Sequence, residues 1–185
     1  MIRFEVQTTL DDGTPVLIRP LRPDDKEDIL TGFQRLSPHS RYMRYSSAGA
    51  KLTPDDLDTL TCQDEQKCLA LGAADLSKPG HYGMGVARYM RCEDEPESAE
   101  IAMVIVDEYQ NRGLGSLMLD LLIAIARKSG FRNLCGYVLS ENRAMIRMLR
   151  RVNAQLTHLD GGMLRIDIPL VAKAQETPRR MVVGM

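Results

Sequence analysis

Val104-Ile-Val-Asp-Glu-Tyr-Gln-Asn-Arg-Gly-Leu-Gly115 sets an apolar strand, a short polar turn and two glycines bracketing one residue directly in front of an amphipathic helix. In that order the first backbone N–H groups of the helix, which have no partners inside it, converge on one concavity and make an anion cradle. Gly113 and Gly115 carry no Cβ and let the backbone approach a phosphate, while Gln110 and Arg112 offer side-chain donors and positive charge on its rim. The expected ligand is a pyrophosphate.

What the stretch lacks narrows the choice. A Walker loop needs Gly-x4-Gly-Lys-Ser/Thr, and the chain has no Gly-Lys pair. A Rossmann turn needs a third glycine three residues after the second, where Met118 stands, and no parallel βαβ unit precedes it. The remaining pattern, Gln110-x-x-Gly113-x-Gly115 after a Val-rich strand, resembles the acyl-CoA pyrophosphate loop of the GNAT superfamily of N-acyltransferases.

Outward from the cradle, the 185 residues suit one domain, and 44% hydrophobic residues can build a sizeable core. Lys+Arg 24 against Asp+Glu 25 leaves no basic field for nucleic acid or an anionic membrane, so partners must be recognised locally. No apolar stretch approaches the roughly 18 residues of a membrane span, and Met1-Ile-Arg-Phe-Glu5 lacks the layout of a signal peptide, so a cytoplasmic chain is expected. Cys62, Cys68, Cys92 and Cys135 show no C-x-x-C spacing and the histidines are scattered. Neither a metal site nor a disulfide framework is expected.

Alternation and caps place the other elements. Pro15 to Pro20 reads as a strand after the Asp11-Asp12-Gly13-Thr14 turn, and a helix starts near Asp24 and ends at Ser37-Pro38. Thr53-Pro54-Asp55-Asp56 caps a short helix. Strands follow at about Cys68 to Ala74, Gly83 to Arg91 and Ala99 to Val106, then the cradle helix to Lys128, a strand Leu134 to Leu139, a helix Ser140 to Val152, and a closing pair at Gln155 to His158 and Leu164 to Ile168. Residues 172–185 show no clear period and are set apart as a tail from the domain of residues 1–171.

This order resembles the GNAT fold over about residues 14 to 170. The resemblance implies an α/β (α+β) architecture, a mixed, mostly antiparallel sheet of about six to seven strands flanked by about four helices. It is most specific at Ala99-Glu-Ile-Ala-Met-Val-Ile-Val106, similar to the fourth strand of the superfamily, at Gln110-Asn-Arg-Gly-Leu-Gly115, and at Ser140-Glu-Asn-Arg-Ala-Met-Ile146, where an Asn contacts the pantetheine side. It thus implies acetyl-CoA as cosubstrate, held by Met103, Val104, Ile105, Val106, Gln110, Asn111, Arg112, Gly113, Leu114, Gly115, Ser116 and Asn142. Arg19-Pro-Leu-Arg-Pro-Asp-Asp25 with Leu36-Ser-Pro-His-Ser-Arg-Tyr-Met-Arg-Tyr45 resembles the GNAT domains of bacterial protein-lysine acetyltransferases, which points to a protein lysine as acceptor. A small-molecule amine or a non-catalytic acyl-CoA sensor are the alternatives, and a monomer or homodimer suits any of them.

Amine acylation fixes the remaining requirement. A primary amine arrives protonated and must lose a proton before its lone pair attacks a thioester, so a carboxylate, or a water held by one, is needed. Glu100 is the candidate, on the strand face shared with Ala102, Val104 and Val106. A thioester beside Val104 lies roughly 13 Å along the strand from it, which favours a bridging water. An oxyanion donor is expected among the backbone N–H groups of Met103 to Val104, where this strand splays from Leu134–Leu139. Many family members protonate the leaving thiolate with a Tyr seven residues after the motif Asn, and here that position is Leu149. Arg41-Tyr-Met-Arg-Tyr45 is read as a contact surface for a peptide or for an acidic group beside the acceptor lysine, or simply as a helix rim.

Overall fold

Asp11-Asp12-Gly13 bends the chain at the first hairpin: Leu10 N–H donates to Thr14 O at 2.9 Å, and Gly13 takes a φ of 85° that suits glycine. The computed structural model describes residues 4–64, 66–80 and 82–170. Its strands are β1 (Val6–Thr9), β2 (Pro15–Pro20), β3 (Gln63–Asp64), β4 (Cys68–Asp75), β5 (Tyr82–Arg91), β6 (Ser98–Ile105), β7 (Asn133–Leu139), β8 (Gln155–His158) and β9 (Met163–Pro169). Its helices are α1 (Lys26–Gln34), α2 (Pro38–Tyr45), α3 (Pro54–Leu60), α4 (Leu114–Lys128) and α5 (Arg143–Arg151).

The strands form one sheet in the order β1-β2-β4-β5-β6-β7-β9-β8, with β3 also on β4. Only β6 and β7 run parallel, because α4 carries the chain back across the sheet between them. The mixed α/β class is as expected, with more elements than the sequence reading placed. The sequence reading does not place β1 and β3 and leaves Pro38 to Tyr45 unassigned between its first two helices, with a helix rim as one reading of Arg41 to Tyr45; the segment is a helix, in which Ser37 Oγ accepts from Ser40 N–H at 3.1 Å and Pro38 opens the first turn. The tail at 172–185 lies outside the described residues.

Side-chain alternation divides the sheet into two faces. Leu71, Ala87 and Ile101 belong to the main core with Leu114, Met118, Leu119 and Leu122 of α4. On the opposite face Ala70 and Val86 pack with Ile29 of α1 and Leu57 of α3. α4 and α1 are therefore held on opposite sides of the strands that meet at the cradle. Cys62 and Cys68, expected to be separate reduced thiols, form a disulfide: the β3–β4 pairing folds the chain back and brings their Cα atoms to 6.1 Å. Cys92 and Cys135 remain free, with Sγ atoms 3.4 Å apart. Among the described residues no group of three His, Cys, Asp or Glu gathers to hold a metal, and no helix is long and apolar enough to cross a membrane.

Candidate active site

The cradle forms where the chain leaves β6. Asn111 and Gly113 both take left-handed conformations, with φ of 59° and 87°, and Gly113 is the N-cap of α4. Leu117 N–H is the first to close a helical bond, to Gly113 O at 3.1 Å, so the amides of Leu114, Gly115 and Ser116 stand open at the N-terminus of a 15-residue helix. A groove runs from these amides between α4 and α5. It is lined by Met103, Val104 and Ile105 of β6, by Gln110, Asn111, Gly113, Gly115 and Ser116, and by Asn142, Met145 and Met148 on the α5 side. A Cβ at Gly115 would lie 2.9 Å from Met148 Sδ, so the flexible Met148 side chain would have to shift.

Several expected cofactor contacts are placed otherwise. Gln110 lines the groove, but its amide nitrogen donates to Ile105 O at 2.9 Å and to Ser40 Oγ at 3.1 Å, bracing α2 against the end of β6. Arg112 turns away to pair with Asp12 at 2.9 Å and does not line the groove. Val106 is buried, and its N–H bonds Met84 O across β5. Leu114 contributes only backbone, its side chain being fully buried in the core. Asn142 caps α5, its Oδ1 accepting from Met145 N–H at 3.1 Å, and still lines the groove.

Positive charge reaches the groove instead from Arg143, Arg147 and Arg151, one helical turn apart on a single face of α5. Their four-residue spacing was legible in the sequence. Arg151 is committed to Asp120 at 2.8 Å and to Ser116 O at 3.2 Å, whereas Arg143 and Arg147 are exposed. Replacing both by Gln is expected to weaken CoA binding about tenfold at low salt and to flatten its salt dependence, since solvent-facing charges act through a screened field. Calorimetric titrations at two ionic strengths measure both effects.

β6 and β7 pair only from Ser98↔Asn133 to Glu100↔Cys135, after which both continue unpaired with each other and open a wedge. The Val106 N–H bond to Met84 O directs the amides of even-numbered β6 residues toward β5, so those of Met103 and Ile105 face the wedge. The expected oxyanion donor thereby narrows to Met103 N–H.

A second pocket lies on the other side of the wedge, floored by Gly72, Val86, Arg88, Ala102 and Val104 and roofed by Ile29, Gly32 and Phe33 of α1 with Arg44 and Tyr45 of α2. The two pockets share Arg44, Met103 and Val104, and there their ligands would meet. Asp107 fixes the α2 side of this junction by accepting from Ser37 N–H, Ser37 Oγ and Ser40 Oγ at 2.9, 2.6 and 2.8 Å. Burial opposes its ionisation, but these hydrogen bonds outweigh burial and hold its carboxyl below the ordinary range. Glu100 is exposed and lines neither pocket, although it lies on the Arg88–Ala102 face and within electrostatic range of Arg44. It can act on the junction only through water. Glu108, the other nearby carboxylate, is held by Arg35 at 2.5 Å and Lys78 at 3.4 Å; burial raises its pKa less than these partners lower it.

Leu149 does not stand where a thiolate acid would. It is fully buried in the core, because the groove-facing side of α5 carries Ala144, Met145, Arg147 and Met148. Leu149→Tyr is therefore expected to lower stability by about 1–3 kcal/mol through overpacking, with no gain in kcat, as thermal melts and steady-state rates on the same preparation will show. Tyr137, on β7 beyond the wedge, is 57% exposed.

The fold agrees with what known proteins show. The family model of the acetyltransferase (GNAT) domain matches residues 16–155, and the chain belongs to that family. It is 37% identical over 137 residues to acetyltransferase PA5475 of Pseudomonas aeruginosa, a match covering 74% of this chain and 73% of that protein. It is 30% identical over 158 residues to acetyltransferase Pat of Mycolicibacterium smegmatis, spanning 83% of this chain but 46% of Pat. The crystal structure of the GNAT domain of S. lividans PAT superposes with a TM-score of 0.79 at 25% identity, covering 89% of this chain and 96% of that domain. The chain is thus an acyltransferase of the GNAT type.

Proposed function

We propose that this chain transfers the acetyl group of acetyl-CoA directly to a primary amine, with a protein lysine as acceptor. The observation that carries the reading is the meeting of two pockets at Met103 and Val104, one ending in an anion cradle and the other open to the opposite side of the sheet. CoA phosphates bind the amides of Leu114, Gly115 and Ser116, the pantetheine arm follows the wedge, and the thioester carbonyl reaches Met103 N–H. The arriving ammonium first gives a proton through water toward Glu100, the freed lone pair attacks the carbonyl carbon, and the nitrogen then releases its second proton to solvent. The tetrahedral intermediate then collapses, breaking the C–S bond and releasing CoA thiolate, which takes its proton from solvent.

The resemblance of Arg19 to Asp25 and Leu36 to Tyr45 to the GNAT domains of bacterial protein-lysine acetyltransferases supports a lysine acceptor. A small-molecule amine is the second reading, favoured by the roof that α1 and α2 place over the acceptor pocket. Purified protein with acetyl-CoA, assayed for thiol release against an amine panel and for acetylated lysines in a lysate, separates the two. Absence of acetylated product in both arms would overturn the transfer itself.

A further inference from the structure

Arg44 and Arg88 stand together at the inner end of the acceptor pocket, and the reaction proposed above uses neither. Arg88 lies on β5 directly opposite Ala102, whose small side chain leaves it room, and Arg44 reaches the same place from the last turn of α2. Among the described residues neither guanidinium has a carboxylate within salt-bridge distance. Arg44 stacks on the Tyr45 ring with its Cζ 4.8 Å from the centroid, and the carboxylates in electrostatic range are Asp56 and Glu100. Asp56 is engaged in capping α3, where its Oδ2 accepts from Thr53 N–H at 2.8 Å and from Thr53 Oγ1 at 2.7 Å. The pocket's other arginine is different: Arg19 makes a bidentate pair with Asp25 at 2.7 Å for both bonds, which cancels its charge.

Two like charges drawn together in a largely apolar cleft repel each other and lose hydration, and burial pulls the Arg44 pKa down. An anion between them relieves both costs, and the planar guanidinium fork matches a carboxylate. We infer that the acceptor is an amine bearing a carboxylate close to the reacting nitrogen, and that Arg44 and Arg88 bind that carboxylate while the nitrogen faces the wedge at Val104. The inference rests on the acetyl-transfer reading. The same chemistry is offered by a free amino acid and by a lysine whose peptide neighbours are Asp or Glu.

Matched acceptors test it. Free amino acids are compared with the amines that lack their carboxylate, and lysine peptides flanked by Asp or Glu with the same peptides flanked by Ala. The expected result is a roughly 10- to 100-fold advantage in kcat/KM for the acidic member, carried mainly by KM. In Arg88→Gln and Arg44→Gln the acidic member loses about tenfold or more beyond whatever the neutral member loses, and Arg88→Lys restores part of that difference. Whichever pair shows the advantage identifies the source of the carboxylate.

Equal rates for acidic and neutral members, or equal losses on both in the variants, would overturn the inference while leaving acetyl transfer standing. Calorimetry of succinate against the CoA-loaded protein gives a readout without turnover. Binding that the two Gln variants lose supports the inference even where no acceptor in the panel is acetylated, and absence of binding to the wild type counts against it.

Discussion

Gly113→Val is expected to abolish measurable CoA binding, raising Kd by at least about 100-fold while the fold survives. The effect comes from the backbone. Gly113 sits at φ 87°, and a left-handed conformation costs an L-residue about 1–2 kcal/mol, more for a β-branched one. Relaxing that angle rotates the open amides of Leu114, Gly115 and Ser116 away from the phosphates. The new Cβ would not enter the cradle: it would lie 2.9 Å from Asp11 Oδ2 in the β1–β2 turn, an exposed segment able to shift. The double variant with Asp11→Ala separates the causes. Calorimetry should find it as poor a CoA binder as the single variant. Recovery would put the defect in the Asp11 contact, and wild-type affinity in Gly113→Val itself would remove the cradle from the site.

Glu100→Gln is expected to lower kcat/KM by roughly 100-fold at neutral pH with CoA affinity nearly unchanged, because the amide keeps the shape but accepts no proton. The exposure of Glu100 makes this a test of a water relay rather than of direct abstraction. A wild-type rate would leave Glu100 as a solvent-facing strand residue and point to selection of the free amine from solution. Glu108 is then no substitute, since Arg35 and Lys78 keep its carboxylate occupied.

How far the site could be read in advance depended on the range of the interactions involved. Alternation along Ala99 to Val106, the turn at Asp107 to Gly113 and the 3.6-residue period from Leu114 are local properties of the chain, and they sufficed to place the strand, the cradle and the helix in order. The Asn142 cap was similarly local. β1, β3 and α2 were not placed from the sequence; the pairing with β2 and β4 and the Ser37 cap tied to Asp107 hold them in place.

The sequence by itself determined the family, the position of the glycine turn in front of α4 and the chemistry that a thioester and an amine require, since each rests on residues adjacent in the chain or one helical turn apart. The tertiary structure alone decided which side chains are free to act. Arg112 and Gln110 are drawn off by Asp12 and Ser40, which lie 100 and 70 residues away, respectively, along the chain. Leu149 is turned into the core by the orientation of α5, and Arg44 and Arg88 are left facing each other because two distant elements converge where β6 and β7 part. Such competition between partners is settled by distances across the fold, and no local spacing carries it.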